Sequence, residues 1–139
     1  MAGMTLEAAR LLIDRAIAGA KQDFKKPVCV SVCDPLGFLV AFSRMEGAPV
    51  RSIQISQGKA YSAVRMGVST EAFLARIQKE GIEISYFCDP QLTALPGGSV
   101  LRDGAGSVAG GIGVSGLTSA EDQALTDRVA EFARAGQRD

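Results

Sequence analysis

In GKAYSAVR, residues 58–65, Lys59 and Tyr61 stand two apart and Arg65 follows Tyr61 by one helical turn. Taken out of water, a lysine holds a carboxylate or, with its pKa lowered, acts as a base, and a neighbouring tyrosine serves as a proton donor. Upstream, RMEGA sets Arg44 and Glu46 two residues apart, the arginine suited to clamp an anion and the carboxylate to move a proton. Arg51 is a further candidate anion partner. Each has a plain structural alternative: a surface ion pair for Arg44, Glu46 and Arg51, a solvated head for Lys59, a half-buried ring for Tyr61. Pro96-Gly97-Gly98 precedes a hairpin, where the amides of Gly97 and Gly98 either bind an anion or only turn the chain. Ser115, ending a glycine-rich strand, bonds either a ligand or its own backbone.

Absent residue types narrow the chemistry. The chain has no histidine, which excludes Ser-His-Asp and Cys-His catalysis, H-E-x-x-H zinc chemistry and any histidine-bound metal. Its three cysteines are an odd number without tight spacing; they suit a reducing compartment, and the cytoplasm is the expected location. Cys29 and Cys33 lie four apart on a strand, roughly 13 Å, too far to share one ion, and read as core residues. Fifteen basic against fifteen acidic side chains, with no basic block, leave no footprint for nucleic acid. Charges at Glu7, Arg10, Asp14 and Arg15 interrupt the apolar N-terminal run, which reads as an amphipathic helix rather than a leader. No apolar run is long enough to cross a bilayer, so no membrane partner is expected.

The elements that must position these groups follow from pattern. With 139 residues, 47% of them hydrophobic, the chain reads as one domain over residues 1–139. Thr5 caps a helix striped by Leu6, Ala9, Ile13, Ala16, Ile17 and Ala20 and running to about Phe24. PVCVSVC alternates, D-P-L-G supplies a type I turn, and FLVAFSRM resumes, giving a hairpin of Val28–Cys33 with Phe38–Met45. Val50, Ile53, Ala60 and Val64 set the inward stripe of a helix that Gly67 ends. Ser69 caps another helix to about Glu80, with Phe73, Leu74 and Ile77 inward. Residues 81–98 are read as irregular, with one or two short strands. SVLR and SVAGGIGVS form a second hairpin across Asp103-Gly104. Thr118 and Glu121 make a capping box for a last helix striped by Ala124, Leu125, Val129 and Phe132. The order α-β-β-α-α-(β)-β-β-α predicts an α/β protein of the α+β type, helices laid over an antiparallel sheet.

GIGVSG, residues 111–116, satisfies G-x-G-x-x-G, but no second parallel strand follows its helix, so no nucleotide cofactor is expected. Alternation explains these glycines differently. Val108, Gly110, Ile112 and Val114 face one way and Ser107, Ala109, Gly111, Gly113 and Ser115 the other, a face almost without side-chain bulk. Such a face admits close approach by a helix of the same chain, a flat ligand or a neighbouring subunit.

SVCDPLGFLVAFSRMEGAP, GKAYSA and LTALPGGSVLRDGAGSVAGGIGVSGLTSAEDQAL together resemble the GlcG/HbpS family, the haem-degrading or DUF336 group, over nearly the whole chain. The resemblance implies a profilin-like α/β sandwich, a homo-oligomer, and haem or another tetrapyrrole as the small-molecule ligand. Relatives often carry a histidine where this chain has Phe38. A haem ligand here would be Cys, Met, Tyr or Lys, a hydroxyl or water, with Tyr61 preferred, and Phe38 and Arg65 are placed with the ligand-binding residues. Two other functions stay open: an enzyme moving protons on a small oxo- or hydroxy-acid or ring-cleavage product, and an accessory subunit without chemistry.

Overall fold

A computed structural model of the chain describes residues 3–136. Thr5 Oγ1 accepts from the Ala8 amide at 3.0 Å and starts helix α1, Leu6–Gly19, which closes in a π turn over Ala20–Phe24. Strands β1, Cys29–Cys33, and β2, Leu39–Arg44, form the first hairpin. Helix α2 spans Arg51–Met66 and α3 spans Thr70–Glu80, each ended by a left-handed glycine, Gly67 and Gly81. Strands β3, Gly98–Arg102, and β4, Val108–Ser115, form the second hairpin, and α4 covers Ser119–Arg134 behind the Thr118–Glu121 capping box. The sheet runs β2-β1-β4-β3, antiparallel throughout.

Between Gly81 and Gly98 no strand forms: Ile84–Phe87 is a 3-10 turn, and Asp89 with Pro90 leads an extended run back to β3. The expected short strand is absent because this segment lies over α2 rather than beside the sheet, and its amides find side chains instead, Thr93 N donating to Ser62 Oγ at 2.8 Å. The second turn also differs from expectation. It spans Asp103–Ser107, and Gly106 rather than Gly104 takes the left-handed conformation, φ +88°. Both hairpins share one turn geometry: Asp34 Oδ1 accepts from Leu36 and Phe38 amides, and Asp103 Oδ1 accepts from Ala105 and Ser107 amides. An aspartate side chain that bonds the backbone two residues on fixes both turns.

The two faces of the sheet differ in chemistry. Val30 and Val32 of β1, Ile112 and Val114 of β4 and Leu101 of β3 pack with Leu12, Ile13 and Ala16 of α1 and Leu125 and Val129 of α4, all buried. Against the other face lies α2, and the buried residues it presents are Ser52, Ser56, Lys59, Ala60, Ser62 and Ala63. The expected inward stripe is therefore rotated: Val50 is 70% exposed, and Ile53 and Val64 are only half-buried. The last helix shifts likewise, burying Asp122, Gln123 and Thr126 beside Leu125 and Val129 while Ala124 is exposed. Apolar periodicity misleads in both helices because their inner faces are polar.

The glycines explain the close seating of α2. A Cβ at Gly111 would lie 2.5 Å from the Ala60 carbonyl oxygen, and one at Gly113 would run into the Ser56 carbonyl and stand 2.6 Å from the Ala60 amide. The low face is filled by a helix of the same chain. Serines stitch the contact, Ser31 to Ser56 at 2.8 Å and Ser115 donating to Ser52 at 3.0 Å. Lys59, 2% exposed, donates to Asp122 Oδ2 at 2.8 Å and to the Val114 carbonyl at 2.9 Å. Burial draws the Lys59 pKa down and the Asp122 pKa up, and their mutual attraction opposes both.

Gly113→Val should fail to fold or lose at least about 1–3 kcal/mol, because α2's backbone cannot yield, while Ser107→Val, at an exposed turn, stays near wild type; thermal denaturation reads both. Asp122→Ala strands the buried ammonium and should cost about 3–5 kcal/mol by urea denaturation. The apolar pair Lys59→Met/Asp122→Leu should cost far less than Asp122→Ala.

Candidate functional site

With Ser52, Ser56, Lys59 and Ala63 turned to the sheet, α2 turns Gln54, Gly58, Tyr61 and Arg65 outward at helical spacing. The segment Phe87–Gln91 runs alongside them, and the β1–β2 turn closes the end with Gly37 and Phe38. Together they bound a cleft of about 1060 Å³, at the upper end of small-molecule pockets. Val50, Arg51 and Ile55 line a second cleft of about 810 Å³ that shares Gln54, Gln57, Gly58, Pro90 and Gln91 with the first.

Tyr61 is the fixed point of the larger cleft. Its hydroxyl donates to Asp89 Oδ2 at 2.5 Å, while Asp89 Oδ1 accepts from the Gln91 amide at 3.0 Å. The hydrogen bond to Asp89 raises the Tyr61 pKa above the ordinary phenol value, with desolvation adding to it. The same bond holds the Asp89 carboxyl below the usual carboxylate range. Gly37 sits against the ring: at φ +97° it carries no Cβ, and one placed there would lie 2.9 Å from Tyr61 Cδ1. The Arg65 guanidinium lies 5.0 Å from the ring centroid. Phe38 is 65% exposed at the mouth.

Three of the residues singled out from sequence, Phe38, Tyr61 and Arg65, thus meet in one cleft, and Arg51 lines its neighbour. The others lie elsewhere. Arg44 ends β2 and donates to the Ala48 carbonyl at 3.4 Å, and Glu46 is exposed in the following turn. Lys59 is sealed beneath α2. Gly97 and Gly98 are buried, and their amides donate to Gln123 Oε1 at 2.7 Å and Thr70 Oγ1 at 2.9 Å, so the chain's own side chains fill the anion position. Ser115 is buried against Ser52.

Sequence reasoning reads the recurrence of Cys-Asp-Pro at Cys88-Asp89-Pro90 as coincidence and gives Asp89 and Cys88 no role in a site. Cys88-Asp89-Pro90 repeats the Cys33-Asp34-Pro35 tripeptide, and in both the aspartate side chain bonds an amide two residues on, which was the available signal. Cys33 and Cys88 both line the cleft, but burial pushes the Cys33 thiol pKa up to about 12, whereas Cys88 is exposed. Among the described residues no group of three or more Cys, Asp or Glu is placed to hold a metal ion, and no helix is long and apolar enough to cross a membrane.

Residues 4–131 match the family model described as haem degrading protein HbpS-like. The chain belongs to the HbpS-like family. An uncharacterised 15.0 kDa protein in the dhaT-dhaS intergenic region of Citrobacter freundii is 31% identical over 131 residues, 91% of this chain and 89% of that protein. The crystal structure of Klebsiella pneumoniae protein ORFY, assigned to DUF336, is 27% identical and superposes with a TM-score of 0.85 over 97% of this chain and 93% of that one. A PduOC–haem complex, 24% identical, shares the fold with a TM-score of 0.81 over 93% of this chain and 94% of that one. The HbpS-like fold is thus the mixed α+β architecture described above, a four-stranded antiparallel sheet between helices.

Asp89→Ala should bring Tyr61 ionisation back down toward the ordinary phenol range, seen in an ultraviolet absorbance titration. Carried out in a Tyr86→Phe background, the titration reads Tyr61 as the one tyrosine left in the sequence. Coincident wild-type and Asp89→Ala curves would contradict the hydrogen bond.

Proposed function

We propose that this HbpS-like protein binds a planar, carboxylated small molecule in the Tyr61 cleft, with haem or a related tetrapyrrole as the leading ligand. The observation that carries the reading is the cleft itself, a large cavity with an aromatic mouth, the Arg65 guanidinium, which forms no ion pair among the described residues, and an exposed thiol, in a family described as haem degrading. PduOC, which shares the fold, is solved in complex with haem.

The donor set fits such a ligand in one way. Tyr61 is the expected ligand from sequence, but its proton is committed to Asp89 and its raised pKa opposes phenolate formation. Cys33 keeps its thiol proton for a different physical reason, burial. Cys88 is the remaining donor in the cleft whose chemistry suits ferric iron, since cysteine thiolate is an established haem ligand type. Arg65 would pair a propionate, and Phe38 and Phe87 would meet the flat faces of the macrocycle. The family's description names haem degradation, in which a haem held there would be the substrate. Self-association is carried over from the family resemblance alone, and three free thiols support a reducing, cytoplasmic setting.

Haem titrated into wild type, Cys88→Ser and Tyr61→Phe tests this through absorption and electron paramagnetic resonance spectra. Cys88→Ser should weaken binding and alter the ligand-field spectrum, and Tyr61→Phe should leave the ligation unchanged. No saturable complex with wild type would overturn the haem reading; a Tyr61→Phe spectrum that loses its axial ligand would return the assignment to the tyrosine.

A further inference from the structure

The Tyr61 hydroxyl has one proton and two lone-pair positions, and the proton goes to Asp89 Oδ2 at 2.5 Å. Toward the cleft Tyr61 Oη therefore offers lone pairs and no donor. The Gly37 turn lies against the ring, where a Cβ would stand 2.9 Å from Tyr61 Cδ1, and limits its swing. Asp89 is oriented toward this hydroxyl by its other oxygen, Oδ1, which accepts from the Gln91 amide at 3.0 Å. Arg65 makes none of the ion pairs formed among the described residues; its charge acts on Asp89 and Tyr61 only at longer range, which leaves its N–H groups open to an anion. A carboxylate would meet Arg65, and the polar atom reaching Tyr61 would have to be a donor. We propose that Asp89, acting through Tyr61, makes this cleft selective for planar carboxylates that also carry a hydroxyl donor. This goes beyond the haem reading and takes from it only the position of the cleft.

Methyl ethers provide the test, because methylation keeps the acceptor and removes the donor. The probes are 3- and 4-hydroxybenzoate and the corresponding methoxybenzoates, titrated by calorimetry or protein-observed NMR. With wild type, at least one hydroxybenzoate should bind about tenfold or more tightly than its ether. Asp89→Ala frees the Tyr61 proton to donate to the ether oxygen, so the gap should close mainly through tighter ether binding. Tyr61→Phe should also close it, but by weakening the hydroxybenzoate. Arg65→Ala should weaken all four probes and leave the ratio unchanged. Circular dichroism and melting curves establish that each variant is folded. Equal affinities in wild type, a gap that survives Asp89→Ala, or no measurable binding up to millimolar probe would each overturn the proposal. Haem titrated into the same samples keeps the two readings apart: haem binding without hydroxyl discrimination overturns this one alone, and discrimination without haem binding overturns the haem reading alone.

Discussion

The contact between α2 and the glycine face of β4 is the constraint on which the other features depend. Where Gly98, Gly111 and Gly113 carry no side chain, backbone carbonyls of α2 at Lys59, Ala60 and Ser56 come directly over the sheet. Glycine in a strand weakens it intrinsically, and here that weakness is offset by allowing a helix to approach closer than any side chain would permit. The approach leaves little room for large apolar groups, so the contact is made by serine, alanine and Lys59 on the helix side and glycine, serine and cysteine on the sheet side. Once α2 is seated this way, its opposite face is determined, and Tyr61 and Arg65 must point outward.

The two faces of the sheet therefore contribute differently. The side under α1 and α4 buries valine, leucine and isoleucine, each giving roughly 1.5–3 kcal/mol by leaving water. The side under α2 buries Lys59 and, at its edge, Asp122, Gln123 and Thr70, whose desolvation costs must be met by hydrogen bonds. They are met: among the described residues no buried side-chain nitrogen or oxygen lacks a partner. Gln123 alone accepts from the Gly97 amide and donates to the Gly98 carbonyl, joining α4 to the start of β3 at the point where the backbone lies nearest Lys59. A polar network of this kind ranks below an apolar core in net stability but fixes one register, since a shifted helix would strand several of its members.

Much of this was legible in the sequence, and the exceptions share a cause. Caps at Thr5, Ser69 and Thr118, the helix-ending glycines and both hairpins act through local backbone chemistry, which residue type reports directly. The division of β4 into a bulky and a bare face also survived, because strand alternation is strict. The inner faces of α2 and α4 did not, because periodicity reasoning assumes that the buried stripe is the apolar one, and tertiary packing reversed that for Val50 and Ala124. The cleft was legible only in part: Tyr61, Arg65 and Phe38 carry recognisable chemistry, whereas Asp89 matters because a distant segment folds across α2. Its partner is 28 residues away, beyond the reach of any local pattern.

Lys59 and Tyr61 show why nearness in sequence was a poor guide to a shared site. Two residues along a helix turn a side chain by about 200°, so one of the pair faces the sheet when the other faces solvent. Lys59 is spent on Asp122 and the Val114 carbonyl inside the fold, and Tyr61 opens on the cleft. Each residue needs the other's placement: without the buried anchor the helix could rotate, and a rotation of one residue would move Tyr61 away from Asp89. The internal ion pair lies inside the fold rather than in the cleft, yet it sets the angle at which the cleft's tyrosine is presented. Gly37, on the far side of the ring, removes the remaining freedom by pressing the first hairpin against it. The position of one phenol oxygen is therefore over-determined by a salt bridge beneath the helix, a carboxylate across it and a turn beside it, which is the arrangement expected where an atom's direction, rather than only its presence, decides what can bind.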